Sequence, residues 1–313
     1  MSRIRFNHTY EHIISIENLL LAWREFLTGK KMRKDVLDFG RHLMSNILSL
    51  HNELVSLTYT HSKYHAFNIS DPKPRNIHKA SVRDRLLHHA LYRKLYPFFD
   101  RTFISASYSC RRYKGMHKAI EQFRAFSYKV SKNNTRTVWI LKCDIRKFFA
   151  SVDQSVLLGI VDGYIEDKRI VSLISKIVES FNSGEQGRGL PLGNLTSQLL
   201  VNIYMNEFDQ FVKHKLKAKH YIRYADDFVF FSDDKHWLES ILPQVSAFLD
   251  ERLKLSLHPD KVFIKTLASG VDFLGWVHFG DPVSCGPQPR GECGSVSHRW
   301  MERLKRCSHT SVY

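Results

Sequence analysis

The run YIRYADDFVFFSDD, residues 221–234, restricts the possible folds of this chain more than any other stretch. Its aromatic and β-branched residues are those of strands set into a core, yet Asp226 and Asp227 interrupt them. Adjacent carboxylates repel each other and are costly to desolvate. Either they form a solvated turn, or a positive charge neutralises them. Aspartate tolerates the conformations of a hairpin tip, so strand–Asp-Asp–strand reads as a hairpin. Tyr221, Ile222, Phe228, Val229, Phe230 and Phe231 then anchor the strands, leaving both carboxylates displayed at the rim.

A second apolar run, VWILKCD (138–144), reads as a buried strand that ends in Asp144. If the two elements are neighbours in one sheet, three carboxylates converge. Hard oxygen ligands of this kind suit Mg²⁺, which takes the rest of its shell from water and phosphate; Mn²⁺ is the alternative. Two such ions about 4 Å apart clamp the attacking and leaving oxygens of a phosphoryl displacement.

Charge points to the same class of chemistry. The 313 residues carry a formal charge of +16, which suits a polyanionic partner, nucleic acid first among them. A hydrophobic fraction of 43% is that of a globular protein. No apolar run approaches the roughly 20 residues that span a bilayer, so no membrane partner is expected. The N-terminus lacks a signal-peptide pattern. Five cysteines without a CxxC pair argue for a reducing compartment. A cytoplasmic protein is the expectation.

Along the chain, the first sixty residues read as helices, with Leu43, Met44, Ile47, Leu48 and Leu54 on one face. DPKPRN (71–76) breaks that pattern and starts an extended basic segment. A helix follows with Val82, Leu86, Leu87, Ala90, Leu91 and Leu95 inward, then a basic loop at 107–115. Helices are expected at about 154–165 and 168–181, and a glycine-rich loop (184–194) opens onto a long helix. Beyond the 221–232 hairpin come another helix and strands near 262–266 and 271–278. Strands and helices interleave without regular βαβ alternation or a GxGxxG turn, which predicts an α+β fold.

With these motifs in view, the chain resembles reverse transcriptases. YADD (224–227) matches the YxDD signature of that family, and LKCDIRKFFASVD (141–153) resembles its first catalytic-aspartate motif. KPRNIHKASVRDRLLHHAL (73–91) and FISASYSCRRYKGMHKAI (103–120) are similar to the fingers motif and its successor. GLPLGNLTSQLLVNIYMNEFD (189–209) resembles the loop and helix that contact template and nucleotide. LSLHPDKVFI (255–264) and VDFLGW (271–276) resemble the last palm motif and the primer grip. The series implies a right-hand polymerase fold: an N-terminal helical extension (1–70), fingers (71–136, interleaved with 165–195), a palm (137–279) whose sheet carries the YADD hairpin, and an irregular tail or truncated thumb (280–313).

By resemblance, Asp144, Asp226 and Asp227 hold two metal ions, with the backbone carbonyl of Ile145 as an extra ligand. Phe149 matches the aromatic gate that leaves no room for a 2′-hydroxyl. Lys73 and Arg75 precede the fingers helix and, like Arg83, are cations suited to an incoming triphosphate; Arg75 fits the family pattern best. Leu192 and Gly193 belong to the nucleotide-contacting loop. Lys261 aligns with a lysine proposed to protonate pyrophosphate as it leaves. Phe273, Leu274 and Gly275 would position the primer end. The implied partners are an RNA template, a DNA or RNA primer and deoxynucleoside triphosphates.

The chain departs from many family members at Leu192, where glutamine is usual, and at Gln198, which replaces proline after Ser197. LGNLTSQ resembles reverse transcriptases of diversity-generating retroelements, which copy template adenines inaccurately and work with a small basic accessory protein. The leucine side chain neither donates nor accepts a hydrogen bond, so an error-prone enzyme is expected. Group II intron-type or phage-defence reverse transcriptases are the alternative biology. A non-catalytic RNA-binding descendant is the alternative class, although a binding module gains nothing from three carboxylates that repel phosphate. In the tail, Cys285, Cys293, His298, Cys307 and His309 have spacings that match no familiar zinc pattern.

Overall fold

The computed structural model describes residues 4–70 and 74–280. Lys73, expected beside the triphosphate, and the tail from residue 281, expected as an irregular tail or truncated thumb, lie outside the described residues. In chain order the helices α1 (Tyr10–Ile14), α2 (Ile16–Phe26), α3 (Lys34–Arg41) and α4 (Leu43–Val55) precede strands β1 (His65–Ile69) and β2 (Arg75–Lys79). Then come α5 (Val82–Phe99), α6 (Met116–Val130), β3 (Trp139–Asp144), α7 (Phe148–Ser151), α8 (Gln154–Asp162), α9 (Lys168–Glu179) and α10 (Leu195–His214). Strands β4 (Tyr221–Tyr224) and β5 (Asp227–Ser232) are followed by α11 (Lys235–Leu253), β6 (Phe263–Thr266), β7 (Val271–Phe273) and β8 (Trp276–His278). The fold is α+β. No helix among the described residues is long and apolar enough to cross a membrane.

Two compact units divide the chain. Among the described residues, the first takes those up to Ile104, Lys147–Gln210 and Leu249–Leu255; the second takes Ser105–Arg146, Phe211–Phe248 and those from Ser256 to Gly280. This division cuts across the expected segments: α6 shares a unit with the β3 sheet, and α7 to α9 share one with the N-terminal helices.

In the first unit α2 packs on α5. Leu19, Ala22, Trp23 and Phe26 of α2 and Leu86, Leu87, Ala90 and Leu91 of α5 are all buried, and between the two helices the Phe26 ring meets His89 and the Arg85 guanidinium. Ser15 and Ser81 cap the two helices by accepting from the N–H groups of Asn18 and Asp84. On α4 the buried face is Ile47, Leu50 and Leu54, whereas Met44 and Leu48, expected beside them, are exposed. The 3.6-residue period carries positions 44 and 48 round to the solvent side. Arg83, expected near a triphosphate, is instead tied into this helical layer: it ion-pairs with Glu53 and Asp84 and lies over the Tyr59 ring.

The second unit is built on a four-stranded antiparallel sheet in the order β4-β5-β3-β6. Alternation sends Leu141, Cys143, Phe228 and Phe230 to one face and Ile140, Val229 and Phe231 to the other, and all seven are buried. Helix α6 covers the second face, where Phe123 contacts the Phe231 and Phe273 rings. Residues 271–278 are a hairpin rather than one strand. Leu274 and Gly275 both have positive φ (55° and 79°), and Phe273 pairs with Trp276 across this two-residue turn.

Candidate active site

Register brings the carboxylates together. Strands β3 and β5 are antiparallel neighbours in which Asp144 is the Cα partner of Asp227, itself paired with Tyr224 across the β4–β5 turn. That turn is Ala225-Asp226, with Ala225 at φ 56°. Asp226 therefore occupies the tip, while Asp227 opens strand β5 and its side chain is only 16% exposed. The expectation of two carboxylates at a solvated rim is corrected for Asp227, because strand pairing begins one residue earlier than the hairpin reading placed it.

Backbone bonds fix this corner. The Ile145 N–H donates to the Asp226 carbonyl at 3.2 Å, Arg146 N–H to Ser256 O at 2.9 Å, and His258 N–H to Asp144 O at 2.8 Å. Residues 256–258 thus run beside 144–146, and the 3-10 turn Pro259–Lys261 returns Lys261 to the site. Its Nζ stands 3.1 Å from both oxygens of Asp144. Sequence reasoning passed over two further cations. Lys142 lies two residues before Asp144, is buried, and places Nζ 3.5 Å from Asp227 Oδ2. Arg223, fully buried in β4, donates to the Ala225 carbonyl and to Ser107 Oγ, both at 3.1 Å, and so braces the tip from within. The one available signal was a lone basic residue inside each apolar strand, ILKCD and YIRY.

Burial pushes the Asp227 carboxyl up to about 7; Lys142 opposes that shift, and the charges of Asp144 and Asp226 add to it. Among the described residues, no three His, Cys, Asp or Glu side chains stand close enough together to hold an ion. The three carboxylates share one corner, but Asp144 is turned to Lys261 and Asp227 to Lys142 rather than to a common point. The repulsion noted in the sequence is thus offset by ammonium groups. The donor set nevertheless fits a hard divalent ion: Asp227 Oδ1 is buried without a hydrogen-bond partner, an oxygen that a cation would satisfy.

Leu192 and Gly193, expected from the sequence to contact nucleotide, lie in the first unit. Leu192 accepts from the His78 N–H of β2 at 3.0 Å, and Asn194 Nδ2 donates to the His78 carbonyl at 3.0 Å. Gly193, at φ 101°, passes so close to β2 that a Cβ would meet Ile77 Cγ2 at 2.9 Å. Arg75 is exposed at the start of the same strand. Leu190 N–H donates to the Phe149 carbonyl at 2.8 Å, joining α7 to this loop. Phe148 is buried and Phe149 half-buried. Gln154, also missed, is buried and donates through Nε2 to the carbonyls of Gly189, Val178 and Phe181. Phe273, Leu274 and Gly275 belong to the second unit, at the β7–β8 turn.

Comparison with known proteins agrees with this architecture. The chain is 27% identical over 245 residues to Protein YkfC of Escherichia coli K12, covering 66% of this chain and 63% of that protein. It is 22% identical over 274 residues to the Group II intron-encoded protein LtrA of Lactococcus lactis, covering 65% and 44%. It thus spans less than two-thirds of the length of these curated relatives. Among solved structures it shares its fold with apo telomerase from Candida tropicalis (TM-score 0.51, 14% identity, 75% of this chain and 58% of that one). Telomerase from Candida albicans, solved with a fragment of telomeric RNA, is similar too (TM-score 0.54, 12% identity, 74% and 48%). A right-hand polymerase fold follows. The profile of the reverse transcriptase (RNA-dependent DNA polymerase) family matches residues 69–278, two-thirds of the chain; the chain belongs to that family.

Proposed function

We propose that this chain is an RNA-directed DNA polymerase that extends a primer on an RNA template. The observation that carries the reading is the register match of Asp144 with Asp227 beside the Asp226 turn, with an unsatisfied carboxylate oxygen inside. Asp144, Asp226 and Asp227, with the Ile145 carbonyl, would hold two divalent ions, Mg²⁺ or Mn²⁺, which supply the charge stabilisation for attack of a primer 3′-hydroxyl on an α-phosphate. Arg75 binds the triphosphate. Phe149 closes the space beside the sugar to a 2′-hydroxyl, so deoxynucleotides are preferred. Lys261 hands a proton to departing pyrophosphate, and the Phe273-Leu274-Gly275 turn holds the primer end. Primer extension with deoxynucleotides on an RNA template should depend on a divalent ion and disappear in Asp226→Ala. Extension by that variant at the wild-type rate would remove the assignment.

The finer proposal is an error-prone enzyme of a diversity-generating retroelement. Its support is Leu192 within LGNLTSQ, where an apolar side chain forgoes the hydrogen bond of a glutamine, a contact worth roughly 1–3 kcal/mol of discrimination. A group II intron-type enzyme is the second reading, favoured by the intron-encoded LtrA among the relatives. Error spectra separate the two. Leu192→Gln should lower misincorporation opposite template adenine several-fold if the first is right, and an unchanged spectrum favours the second.

A further inference from the structure

The two lysines at the carboxylate corner are not equivalent. Lys142 stands in the central strand β3, its side chain 10% exposed, and takes one oxygen of Asp227 while Oδ1 stays open. Lys261 is 44% exposed on the 3-10 turn and lies equally close to both oxygens of Asp144. An incoming cation therefore meets an available oxygen on Asp227 and two shielded ones on Asp144. Lys142 is walled in by the sheet, so withdrawing its ammonium would strand a buried charge. Lys261 can swing its ammonium into water at little cost, because a half-exposed ion pair is weakly held.

We propose that Lys261 is a displaceable counter-ion: it clamps Asp144 while no divalent ion is bound and yields that carboxylate when one loads, whereas Lys142 remains on Asp227. The inference rests on the reading of this corner as a divalent-ion site. Its consequence is a coupling between two events. Completing the carboxylate set releases the Lys261 ammonium, which is otherwise held back from any phosphate. Until an ion binds, the clamp also weakens affinity for it. Nucleotide phosphates, by adding oxygen ligands, would offset that competition, so ions load more tightly together with substrate than alone.

The test is calorimetric titration of Mn²⁺ into the full chain without nucleotide or nucleic acid, at fixed pH and ionic strength. Lys261→Met should bind Mn²⁺ about fivefold more tightly than wild type, the equivalent of a pair worth ~1 kcal/mol. Lys261→Arg, which retains a cation able to span both oxygens, should keep the weaker wild-type affinity. Lys265, whose ammonium lies over the Phe263 ring on β6, controls for bulk field, and Lys265→Met should change affinity less than twofold. Equal or weaker binding by Lys261→Met overturns the proposal, as does an equal gain in Lys265→Met. If wild type binds no more Mn²⁺ than the Asp144→Asn, Asp226→Ala double variant, the metal-site reading itself fails, an outcome distinct from failure of the clamp alone.

Discussion

Asp227 combines strand pairing with a charge that burial opposes, and its protonation is the residue-scale property most open to measurement. Its carboxyl is pushed up to about 7 in the fold against an ordinary 3.8. The folded protein therefore holds that proton more tightly than the unfolded chain. The resulting contribution to stability is complete below about pH 4 and is lost as pH rises toward 7. Three imidazoles work in the opposite direction. Burial lowers His88 to about 3 and both His89 and His278 to about 4, so their contribution falls as the solution is acidified below about pH 6.5. The informative quantity is thus a difference between two proteins. In chelator, the unfolding free energy of wild type minus that of Asp227→Asn should decline steadily from pH 4.5 to 7.5, by denaturant titration at each pH. A flat difference would show that Asp227 is ionised in the fold across this whole range.

Among the elements, two glycines with positive φ sit in settings that predict unequal costs. Gly275 forms half of the β7–β8 turn at φ 79°, with nothing within 4 Å of a Cβ. Gly193 has φ 101° and would also drive a Cβ to 2.9 Å from Ile77, a β-branched residue with little freedom to move. Gly275→Ala should cost only the left-handed backbone penalty, about 1 kcal/mol. Gly193→Ala adds an overpacking term and should cost about 2–3 kcal/mol. Urea midpoints would show the order, and a larger loss at Gly275 would contradict it. The same pair marks the limits of reading elements from sequence. Helices α5 and α10 and strands β3 to β5 were legible because burial imposes a period on their apolar residues. The β7–β8 hairpin was not, because its turn places Leu274 at positive φ where a sequence reader looks for Asn-Gly. Lys142 and Arg223 were hidden for a related reason. A polar residue in an apolar run shows that a partner is needed, but the partner comes from another strand or loop that only the folded chain supplies. Gln154 lies between Asp153 and Ser155 and carries no such signal.

At the scale of the whole molecule, the charge of +16 and the acidic corner make opposite demands on nucleic acid. Backbone binding by lysine and arginine releases counterions and weakens steeply with salt. The three aspartates repel the same phosphates and oppose binding. A variant that removes one of them should therefore separate affinity from chemistry. Asp226 lies in a turn rather than inside a strand, so truncating it removes charge without opening the core. Asp226→Ala should bind a primed RNA template at least as tightly as wild type, measured by fluorescence anisotropy between 50 and 200 mM salt. Its log–log salt slope should match wild type to within about one, since no cation has been lost. Primer extension should be absent in the same preparation. If affinity instead falls along with extension, Asp226 is acting through the scaffold that presents the basic surface, and the division between a cationic binding surface and an acidic reacting corner does not hold.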